Sequence, residues 1–423
     1  MHIDVIDDFS SIDDLRGQWD AVYDADPDAQ FFLSSTWIFH WMVSALSNGI
    51  VLAARPGPEG SDYVAFFPLR FRTWMKKGGG FYSVVDMAGQ GIADYNGAIC
   101  RPEHDAEVFP AFAEQIKSFK WTEFSLNFLR MSEARADLLL GGFSPKAFRI
   151  KDESKLAISG GIDHAVAPYV DLGDDWETHL ATAMSANARQ KARRLLRKIE
   201  NSETLRITHA DATTFTRDID ILLRFWQTKW AQEKGKASVA LVDVIRDMAA
   251  HCFEQGKLFV PILWDGDRAL CALAILVCDN KKSYLFLLTG RDETYDDLAV
   301  GYALHAHAIR HAIEHGFKVY DFLQGNDRYK YSFGVKERTL INKAVVRKTQ
   351  NQTLDMRCID AALVRARSLQ KDGKNAEAER GYRQIMQLDP QCAAAVYGLS
   401  GLLSAKGDHA QAQRLIKTLE ESG

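Results

Sequence analysis

The segment from Tyr320 to Lys330, Tyr-Asp-Phe-Leu-Gln-Gly-Asn-Asp-Arg-Tyr-Lys, contains the side chains best suited to acid–base chemistry. Asp321 falls inside a strand predicted from Lys318 to Leu323, on its apolar side, where a carboxylate costs free energy unless it is paired. Lys330 could polarise a carbonyl and stabilise an oxyanion, while Asp321 orients the lysine or accepts a proton through water. A structural interpretation stays open, in which Asp321 caps the turn at Gly325 or pairs with Lys330.

A second candidate site is the start of a helix predicted from Leu298 to His315, at the run Ala299-Val300-Gly301-Tyr302. The first N–H groups of a helix lack partners and carry a partial positive charge, so they bind phosphates well. Gly301 would let a ligand come close to the backbone. We therefore expect Val300, Gly301 and Tyr302 to bind a phosphate-bearing cofactor or substrate.

A helix predicted from His179 to Glu200 has an apolar stripe on one face and a basic face opposite. The apolar residues recur at three- and four-residue spacing, which is the helical period. The residues of the basic face are Arg189, Lys191, Arg193, Arg194, Arg197 and Lys198. Such a run is typical of a solvated face. In an otherwise acidic protein, it could also hold the phosphates of a cofactor through Arg189 and Arg193.

Four histidines lie on the helix that ends at His315. His307, His311 and His315 are four residues apart, a spacing that metal sites use, but no Asp or Cys on the helix completes a ligand set. We expect these three side chains to be solvated, and we predict no metal. His305 falls on the apolar face, where we expect a buried, hydrogen-bonded histidine, with a pocket-lining group as the alternative.

The composition of the 423-residue chain excludes several classes of protein. With 47% hydrophobic and 26% charged residues the chain is globular, and its net charge of −4 argues against a DNA-binding protein. The longest apolar run, Ala269 to Cys278, is too short for a transmembrane helix, and the acidic N-terminus lacks a signal-peptide pattern. We expect a cytoplasmic protein whose six cysteines are buried apolar residues. The sequence contains no GxSxG, P-loop, HExxH or dinucleotide-binding glycine motif.

The elements around these residues follow a clear order in the second half of the chain. Two helical segments precede an antiparallel meander of three strands between Leu258 and Thr289. The helix ending at His315 and the strand Lys318 to Leu323 follow, and a last strand runs from Ile341 to Arg347. This order predicts a mixed sheet of the α/β (α+β) class.

The first half of the chain repeats that order more loosely. A hairpin is followed by irregular glycine-rich sequence from Gly78 to Gly91, and then by a helix and a strand. Two tandem halves, each built on a mixed sheet, therefore account for most of the chain. We place them at residues 1–160 and 161–350.

The C-terminal segment, residues 358–423, has the periodicity of a helical repeat. Gly373 and Gly407 lie 34 residues apart, and Leu-Asp-Pro at Leu388–Pro390 ends the helix between them. A 34-residue period is the tetratricopeptide signature, and one and a half to two repeats are too few to bury their own faces. We expect this tail to pack on the body, on a second copy of the chain or on a protein partner.

Together these features resemble the CelD/FemAB-like acyltransferases of the GNAT superfamily. The order of meander, helix and strand is that of the GNAT core, in which a splayed strand pair and a helix N-terminus bind coenzyme A. The segments that carry the resemblance are Phe31–Trp37, Phe67–Leu69, Asp94-Tyr95, Tyr169–Leu172, the helix with Arg189, Arg193 and Arg194, and Tyr320–Lys330. The tail departs from the minimal pattern of the family and suggests a docking partner.

The resemblance implies two GNAT-like halves with the acyl donor on the second. It implies that Lys330 polarises the acyl carbonyl, with Asp321 and Tyr329 beside it. The residues expected at the acceptor are Trp37, Asp94, Tyr95 and Gln324. Members of this family often serve polysaccharide or envelope synthesis.

We therefore predict an enzyme that moves an acyl group from acyl-CoA, such as acetyl-CoA, to an amine, with an amino sugar as one candidate acceptor. No permanently bound cofactor is expected. Two alternatives stay open. One is aminoacyl transfer from aminoacyl-tRNA, with the basic helix on the RNA. The other is a non-catalytic scaffold that docks a polysaccharide-synthesising machine through the tail.

Overall fold

The computed structural model describes residues 1–44, 48–57, 60–234, 236–349 and 354–422, so the predicted domain limits at residues 350 and 423 lie outside it. The strands are β1 (His2–Ile6), β2 (Asn48–Arg55), β3 (Ala65–Met75), β4 (Phe81–Met87), β5 (Ile99–Cys100), β6 (Glu123–Leu129), β7 (Phe148–Asp152), β8 (Ile158–Ser159), β9 (Ile162–Asp163), β10 (Val166–Asp171), β11 (Leu205–His209), β12 (Leu258–Phe259), β13 (Pro261–Asp265), β14 (Arg268–Cys278), β15 (Ser283–Arg291), β16 (Val319–Asp321), β17 (Lys336–Thr339) and β18 (Ile341–Arg347). The helices are α1 (Arg16–Ala25), α2 (Ser35–Ser44), α3 (Asp105–Ser118), α4 (Glu133–Gly141), α5 (Trp176–Ala183), α6 (Ala186–Glu200), α7 (Phe215–Lys234), α8 (Lys236–Glu254), α9 (Val300–Glu314), α10 (Ile359–Lys371), α11 (Asn375–Leu388), α12 (Ala393–Ala405) and α13 (His409–Ser422).

The first sheet has the strand order β1-β2-β3-β4-β6-β18-β7, with the short β5 paired to β3. Its neighbouring strands are antiparallel except β4 and β6, which run parallel at Val84–Val85 and Glu123–Phe124 and are connected through α3. A parallel pair needs such a crossover helix. Phe109 and Phe112 of α3 are fully buried in the core that this sheet shares with the helix.

The second sheet, β11-β13-β14-β15-β16-β10-β17, follows the same plan. Its parallel pair is β15 and β16, connected through α9. The two strands pair at Ser283–Leu285 and Val319–Asp321, and from there β15 continues along β14 to Arg291. The sheet therefore opens beside the N-terminus of α9. The predicted α/β (α+β) class, with two tandem mixed-sheet halves and a helical tail, is confirmed.

The last strand of the body belongs to the opposite half from the one predicted. β18 pairs with β6 on one side and with β7 on the other, so Ile341–Arg347 completes the first sheet. The boundaries 1–160 and 161–350 are therefore wrong for this strand. Strand pairing depends on long-range packing, which the local sequence of β18 does not encode.

The basic helix predicted from His179 to Glu200 is two helices, α5 and α6. Ser185 lies between them and acts as the N-cap of α6, where its hydroxyl accepts a hydrogen bond from the Ala188 N–H at 3.3 Å. Serine is a preferred N-cap because its side chain satisfies an N–H that has no partner in the helix. The apolar stripe runs through both helices, which is why the periodicity predicted a single one.

Two strand predictions also need correction. The stretch from Gly78 to Gly91 contains the regular strand β4, which its flanking glycines obscured. The strand predicted to reach Leu323 ends at Asp321, and Leu323 has a φ of 57°. A positive φ is rare for a branched residue and interrupts the extended backbone, so the chain turns directly after Asp321.

The two halves share one hydrophobic cluster. Trp19, Trp37 and Phe66 of the first half belong to the same buried group as Leu222 and Trp226 of the second half. Burial of such large side chains is the main source of folding free energy. The relative position of the two sheets is therefore held by a continuous core.

The tail packs on the body, which was one of the three predicted possibilities. Gly373 and Gly407 adopt positive φ angles of 75° and 89° at the turns of two helix pairs, α10–α11 and α12–α13. The Gln384 amide of α11 accepts from the Phe81 N–H at 2.6 Å and donates to the Phe81 carbonyl at 2.7 Å. Gly381 lies against the Phe81 ring, where a Cβ would come within 2.5 Å. The tail thus extends the core of the first sheet.

The cysteines agree with the expectation from composition. The six cysteines are free, five of them buried and Cys392 half-buried. Within the described ranges, no helix combines the length and apolar character needed to cross a bilayer.

Candidate active site

A cleft of about 340 Å³ opens where β15 and β16 diverge, and we call it the α9 cleft. Ala299 is the N-cap of α9 and provides no side-chain cap. Of the residues predicted to bind phosphate, Gly301 and Tyr302 line the cleft, whereas the Val300 side chain is buried and its N–H donates to the Leu298 carbonyl at 2.8 Å. The cleft therefore presents a helix N-terminus without a side-chain cap, which favours anions.

Cationic side chains line the same cleft. Lys191, Lys229 and Arg291 belong to its wall, together with Glu293, which accepts a hydrogen bond from Arg291 Nε at 3.0 Å. Lys191 Nζ lies 4.3 Å from the centroid of the Tyr302 ring, a cation–π contact that holds the ammonium over the start of α9. The helix N-terminus and these cations create a positive potential suited to phosphate groups.

The two arginines selected from the sequence lie outside this wall. Arg189 donates to the Ala181 carbonyl at 3.4 Å, and Arg193 forms an ion pair with Glu177. Neither lines the α9 cleft, so Lys191 takes the position predicted for them. The sequence predicts the basic face of this helix, but the rotation of α6 about its axis decides which residue of that face reaches the cleft.

His305 and Tyr329 lie on adjoining parts of the cleft wall. His305 is buried, its Nδ1 lies 2.9 Å from the Tyr320 hydroxyl, and its ring centroid lies 5.7 Å from that of Tyr329. Burial, with a smaller effect of the Lys330 charge, lowers the pKa of His305 to about 3, so the ring is neutral near pH 7. Both interpretations of His305 therefore apply: it is a hydrogen-bonded core residue, and it lines a pocket.

Lys330 follows Tyr329 in the chain but is 2% exposed. Its Nζ donates to the carbonyls of Gln324 at 2.6 Å and Gly325 at 2.8 Å, and lies 3.2 Å from a carboxylate oxygen of Asp327. Burial lowers the pKa of Lys330, and the Asp327 charge opposes that shift. An ammonium group has three N–H donors, and these partners supply three acceptors. Direct polarisation of an acyl carbonyl by Lys330 stays a prediction and requires one of these contacts to open.

Asp321 has partners other than those predicted. Its carboxylate accepts from the Tyr95 hydroxyl at 2.6 Å and the Leu323 N–H at 2.9 Å, and it pairs with Arg338 at 2.9 Å. It therefore neither caps Gly325 nor pairs with Lys330. Burial, followed by the Asp321 charge, raises the pKa of Tyr95 well above its usual range. The Asp321 carboxylate thus joins the two halves, since Tyr95 belongs to the first.

A second cavity, which we call the Trp37 cavity, has a volume of about 180 Å³ and lies between the halves. Trp37, Ile92 and Asp94 of the first half line it, together with Trp226 and Met248 of the second. Two of the residues predicted for the acceptor therefore meet there. The other two do not line the cavity: Tyr95 follows Asp94 in the chain, and the Gln324 side-chain amide donates to the Asp94 carbonyl.

Asp94 is the carboxylate in this cavity. Burial raises its pKa to about 6, against the opposing effects of the Lys330 charge and a hydrogen bond from the Gln324 backbone. A carboxyl group with a pKa near 6 is largely ionised at neutral pH, yet takes up a proton more readily than an ordinary aspartate. Asp94 therefore combines charge and basicity at the edge of an apolar space.

Neighbouring residues of β15 line the Trp37 cavity and the α9 cleft. Leu287 and Leu288 line the first, and the next two residues, Thr289 and Gly290, line the second. Sequence reasoning did not identify Thr289, because it is the separation of β15 from β16 that makes this residue accessible to a ligand.

The other histidines of α9 are not simply solvated. His307 and His311 are half-buried, and His307 Nε2 lies 2.8 Å from His209 Nε2, while the Tyr284 hydroxyl lies 3.2 Å from His311 Nδ1. Burial lowers the pKa of His307 to about 3 and that of His311 to about 4. The prediction of solvated rings is therefore wrong for these two and correct for His315. Across the described residues, no group of three or more His, Cys, Asp or Glu side chains could hold a metal ion.

Comparisons with known proteins agree with this architecture. Residues 186–331 match the family model described as an acetyltransferase (GNAT) domain, and residues 369–423 match a tetratricopeptide repeat. No curated protein matches the chain significantly. Among solved structures, FemX is similar over 82% of this chain and 97% of its own, with 10% identity and a TM-score of 0.55.

Two further solved structures are similar over comparable lengths. One is a conserved protein of unknown function from Bacteroides thetaiotaomicron, with 14% identity over 82% of this chain and 99% of its own, and a TM-score of 0.48. The other is a tandem GNAT protein from the clavulanic acid biosynthesis pathway, with 10% identity over 83% of this chain and 100% of its own, and a TM-score of 0.46. Residues 186–331 are therefore similar to a GNAT acetyltransferase domain and residues 369–423 to a tetratricopeptide repeat, and the fold of the chain is similar to that of FemX.

Proposed function

We propose that this protein is an N-acyltransferase that moves the acyl group of an acyl-CoA, such as acetyl-CoA, to an amine. The observation that carries the proposal is the α9 cleft, in which Lys191, Lys229 and Arg291 line a wall with an uncapped helix N-terminus. Helix N–H groups and cations together stabilise a pyrophosphate. The match of this region to a GNAT domain supports an acyl-CoA as the phosphate-bearing ligand.

In the proposed reaction the amine nitrogen attacks the carbonyl carbon of the thioester. A C–N bond forms and the C–S bond breaks. One proton leaves the nitrogen and one proton is taken up by the departing thiolate, so the products are an amide and free coenzyme A. Direct transfer of this kind gains much of its rate from holding both reactants in contact, and two cavities lined by neighbouring residues of β15 suit that requirement.

Tyr329 is our candidate for the group that hydrogen-bonds the thioester carbonyl, because it lines the α9 cleft. Partial burial and the nearby Asp327 raise the pKa of its hydroxyl. The hydroxyl therefore stays protonated at neutral pH and can donate a hydrogen bond to the carbonyl oxygen. Lys330 would not contact the thioester itself. It would hold the loop from Gln324 to Asp327 in place and add positive potential near Tyr329. Asp321 would position the same segment through its contacts with Tyr95 and Arg338.

A glutamate at the start of α9 tests the donor site. A Cβ at Gly301 would meet no other atom within 4 Å, so Gly301→Glu adds a negative charge at the cleft without a clash at its Cβ. We expect this variant to bind acetyl-CoA at least about tenfold more weakly by calorimetry, because like charges repel. Gly17→Glu, at an equally open position on α1, is the control and should bind as the wild type does. Equal affinities of both variants for acetyl-CoA would disprove the proposed donor site.

The resemblance to CelD/FemAB-like enzymes suggests an amino sugar of polysaccharide or envelope synthesis as the acceptor. The protein would then release coenzyme A in the presence of glucosamine and acetyl-CoA. A non-catalytic scaffold would release none with any amine. The tail retains a proposed role in docking a protein partner, supported by the tetratricopeptide match and by the exposed side chains of Val364 and Tyr397.

A second candidate function is transfer of an aminoacyl group from aminoacyl-tRNA. It is favoured by the basic face of α6, where Arg194, Arg197 and Lys198 are exposed next to Lys191. RNA binding through such residues weakens steeply with salt. We would measure aminoacyl-tRNA binding from 50 to about 200 mM salt with the wild type and with the Arg194→Ala/Arg197→Ala variant. Binding that neither salt nor the double substitution weakens would count against this function.

A further inference from the structure

We infer that the acceptor is an amine carried by a compact apolar group, such as an aryl or branched alkyl chain, and that it binds in the Trp37 cavity. This inference rests on the proposed function and names the substrate class of the same site. It departs from the amino sugar that the family resemblance suggests.

The wall of the Trp37 cavity is mostly apolar. Ile92, Trp226, Ile245 and Met248 contribute to it, and Asp94 is the one ionisable side chain among the described residues of the wall. Its volume, about 180 Å³, exceeds the roughly 150 Å³ of an engineered apolar cavity that holds benzene. An aromatic ring with a short chain therefore fits. A sugar ring would lose water from several hydroxyl groups, and each one left without a partner costs about 1–3 kcal/mol.

One charged group in this wall defines what a ligand must offer. The Asp94 carboxylate attracts an ammonium group in an apolar setting, where opposite charges interact strongly. A positively charged nitrogen on an apolar body therefore matches the wall of the cavity.

The position of the cavity suits acyl transfer to that nitrogen. Leu287 and Leu288 line the cavity, and Thr289 and Gly290 line the α9 cleft, so the two ligands would meet along β15. The ammonium would lose one proton to solvent through the Asp94 carboxylate, and the neutral amine would then attack the thioester carbon. The proton released from the adduct nitrogen goes to the thiolate of coenzyme A. The net products are the amide, free coenzyme A and one proton.

Calorimetry without any acyl donor tests the inference directly. The probes are 2-phenylethylamine, its neutral counterpart 2-phenylethanol, and glucosamine. We expect 2-phenylethylamine to bind at least about tenfold more tightly than either of the others, since only it has both the charge and the apolar body. Glucosamine binding as tightly as 2-phenylethylamine would overturn the inference.

Two substitutions at neighbouring positions of α8 test where the ligand binds. Ile245→Trp fills the cavity and should weaken binding of 2-phenylethylamine by at least about tenfold. Val244→Trp adds the same kind of bulk at a residue that is 48% exposed, and should bind like the wild type. Asp94→Asn, which is close in size to the wild type, guards against a folding defect: it should weaken binding of the amine and leave that of 2-phenylethanol unchanged.

The outcomes separate this inference from the proposed function. If Ile245→Trp and Asp94→Asn bind 2-phenylethylamine as the wild type does, the inference is wrong, whatever the enzyme does with acetyl-CoA. If acetyl-CoA neither binds nor releases coenzyme A with any amine, the proposed function is wrong, while the binding results still decide whether the cavity takes apolar amines.

Discussion

At the scale of single residues, existing hydrogen bonds and ion pairs decide which charged side chains are available to contact a ligand. Asp321 is engaged with Tyr95, Arg338 and a backbone N–H, and Lys330 is engaged with two carbonyls and Asp327. Both therefore stabilise the segment that carries Tyr329. Asp94 instead faces a cavity, and burial raises its pKa. In the proposed reaction, Asp94 is therefore a better candidate than Asp321 for the group that accepts a proton.

The raised pKa of Asp94 predicts a pH-dependent stability. Its pKa rises from 3.8 to about 6 on folding, so the folded state holds a proton that the unfolded chain has already released between these values. The protein therefore loses stability as the pH rises from about 4 to above 6, by about 3 kcal/mol for a shift of about two pKa units. Asp94→Asn lacks this loss. Its free energy of unfolding, measured in urea and taken relative to wild type, should rise by up to about 3 kcal/mol between about pH 4 and 7.5.

The control for this experiment is Asp137→Asn, at an exposed position on α4. Its free energy of unfolding relative to wild type should stay constant over the same pH range. A constant difference for Asp94→Asn as well would show that Asp94 has an ordinary pKa, and would contradict its proposed role as a proton acceptor.

At the scale of elements, a close backbone contact fixes the turn that follows Tyr329. The turn Lys330–Phe333 ends at Gly334, which has a φ of 74° and lies so close to α5 that a Cβ would come within 1.8 Å of the Ala183 carbonyl oxygen. Phe333 also stacks on Tyr302, with ring centroids 4.6 Å apart. The turn is thereby held against both α5 and the start of α9.

Substitution of Gly334 by alanine should therefore lower the free energy of unfolding much more than the same substitution at a comparable glycine. Gly316 has a φ of 75°, but a Cβ there would meet nothing within 4 Å. We expect Gly316→Ala to cost about 1–2 kcal/mol, the cost of a left-handed backbone for a residue with a Cβ. Gly334→Ala adds a clash with backbone and should cost at least about 2 kcal/mol more in urea unfolding. Equal losses would mean that the contact with Ala183 does not constrain the turn.

At the scale of the whole molecule, the tail is part of the body rather than a separate module. Tyr382 of α11 is fully buried in the cluster that also contains Phe81 and Phe109 of the first half. Ser83 of β4 donates to the Cys358 sulfur at 3.0 Å, next to the start of α10. Removing residues 358–423 would expose this cluster, so we expect the truncated chain to aggregate rather than to remain an active enzyme.

A point substitution tests this shared core more gently. Tyr382→Ala should lower the free energy of unfolding by about 3–5 kcal/mol, as is usual for a large buried aromatic residue, and should shift a single transition. Tyr397→Ala, at a residue of α12 that is 55% exposed, should change it by less than about 0.5 kcal/mol. Calorimetry that resolves a separate tail transition, with only that transition shifted by Tyr382→Ala, would contradict a common core.

Local patterns in the sequence predicted those features that depend on residues close together in the chain, namely helices and turns. Apolar periodicity and the glycines at positions 373 and 407 predicted the helices and turns of the tail, because helix formation and turn geometry depend on residues near in sequence. The start of α9 at Val300 was predicted to within two residues for the same reason. The acceptor residues Trp37 and Asp94 were located by resemblance and do line one cavity, although their role is still a prediction.

By itself, the sequence determined the α/β class, the tandem halves and the repeat in the tail, and it identified the segment around Lys330 as a candidate site. Only the tertiary structure decided that β18 completes the first sheet, that Lys191 rather than Arg193 reaches the cleft, and that Asp321 pairs with Arg338. These outcomes depend on strand pairing, helix rotation and burial between segments far apart in the chain. Such long-range contacts set the partners of each charged group, and therefore its chemistry.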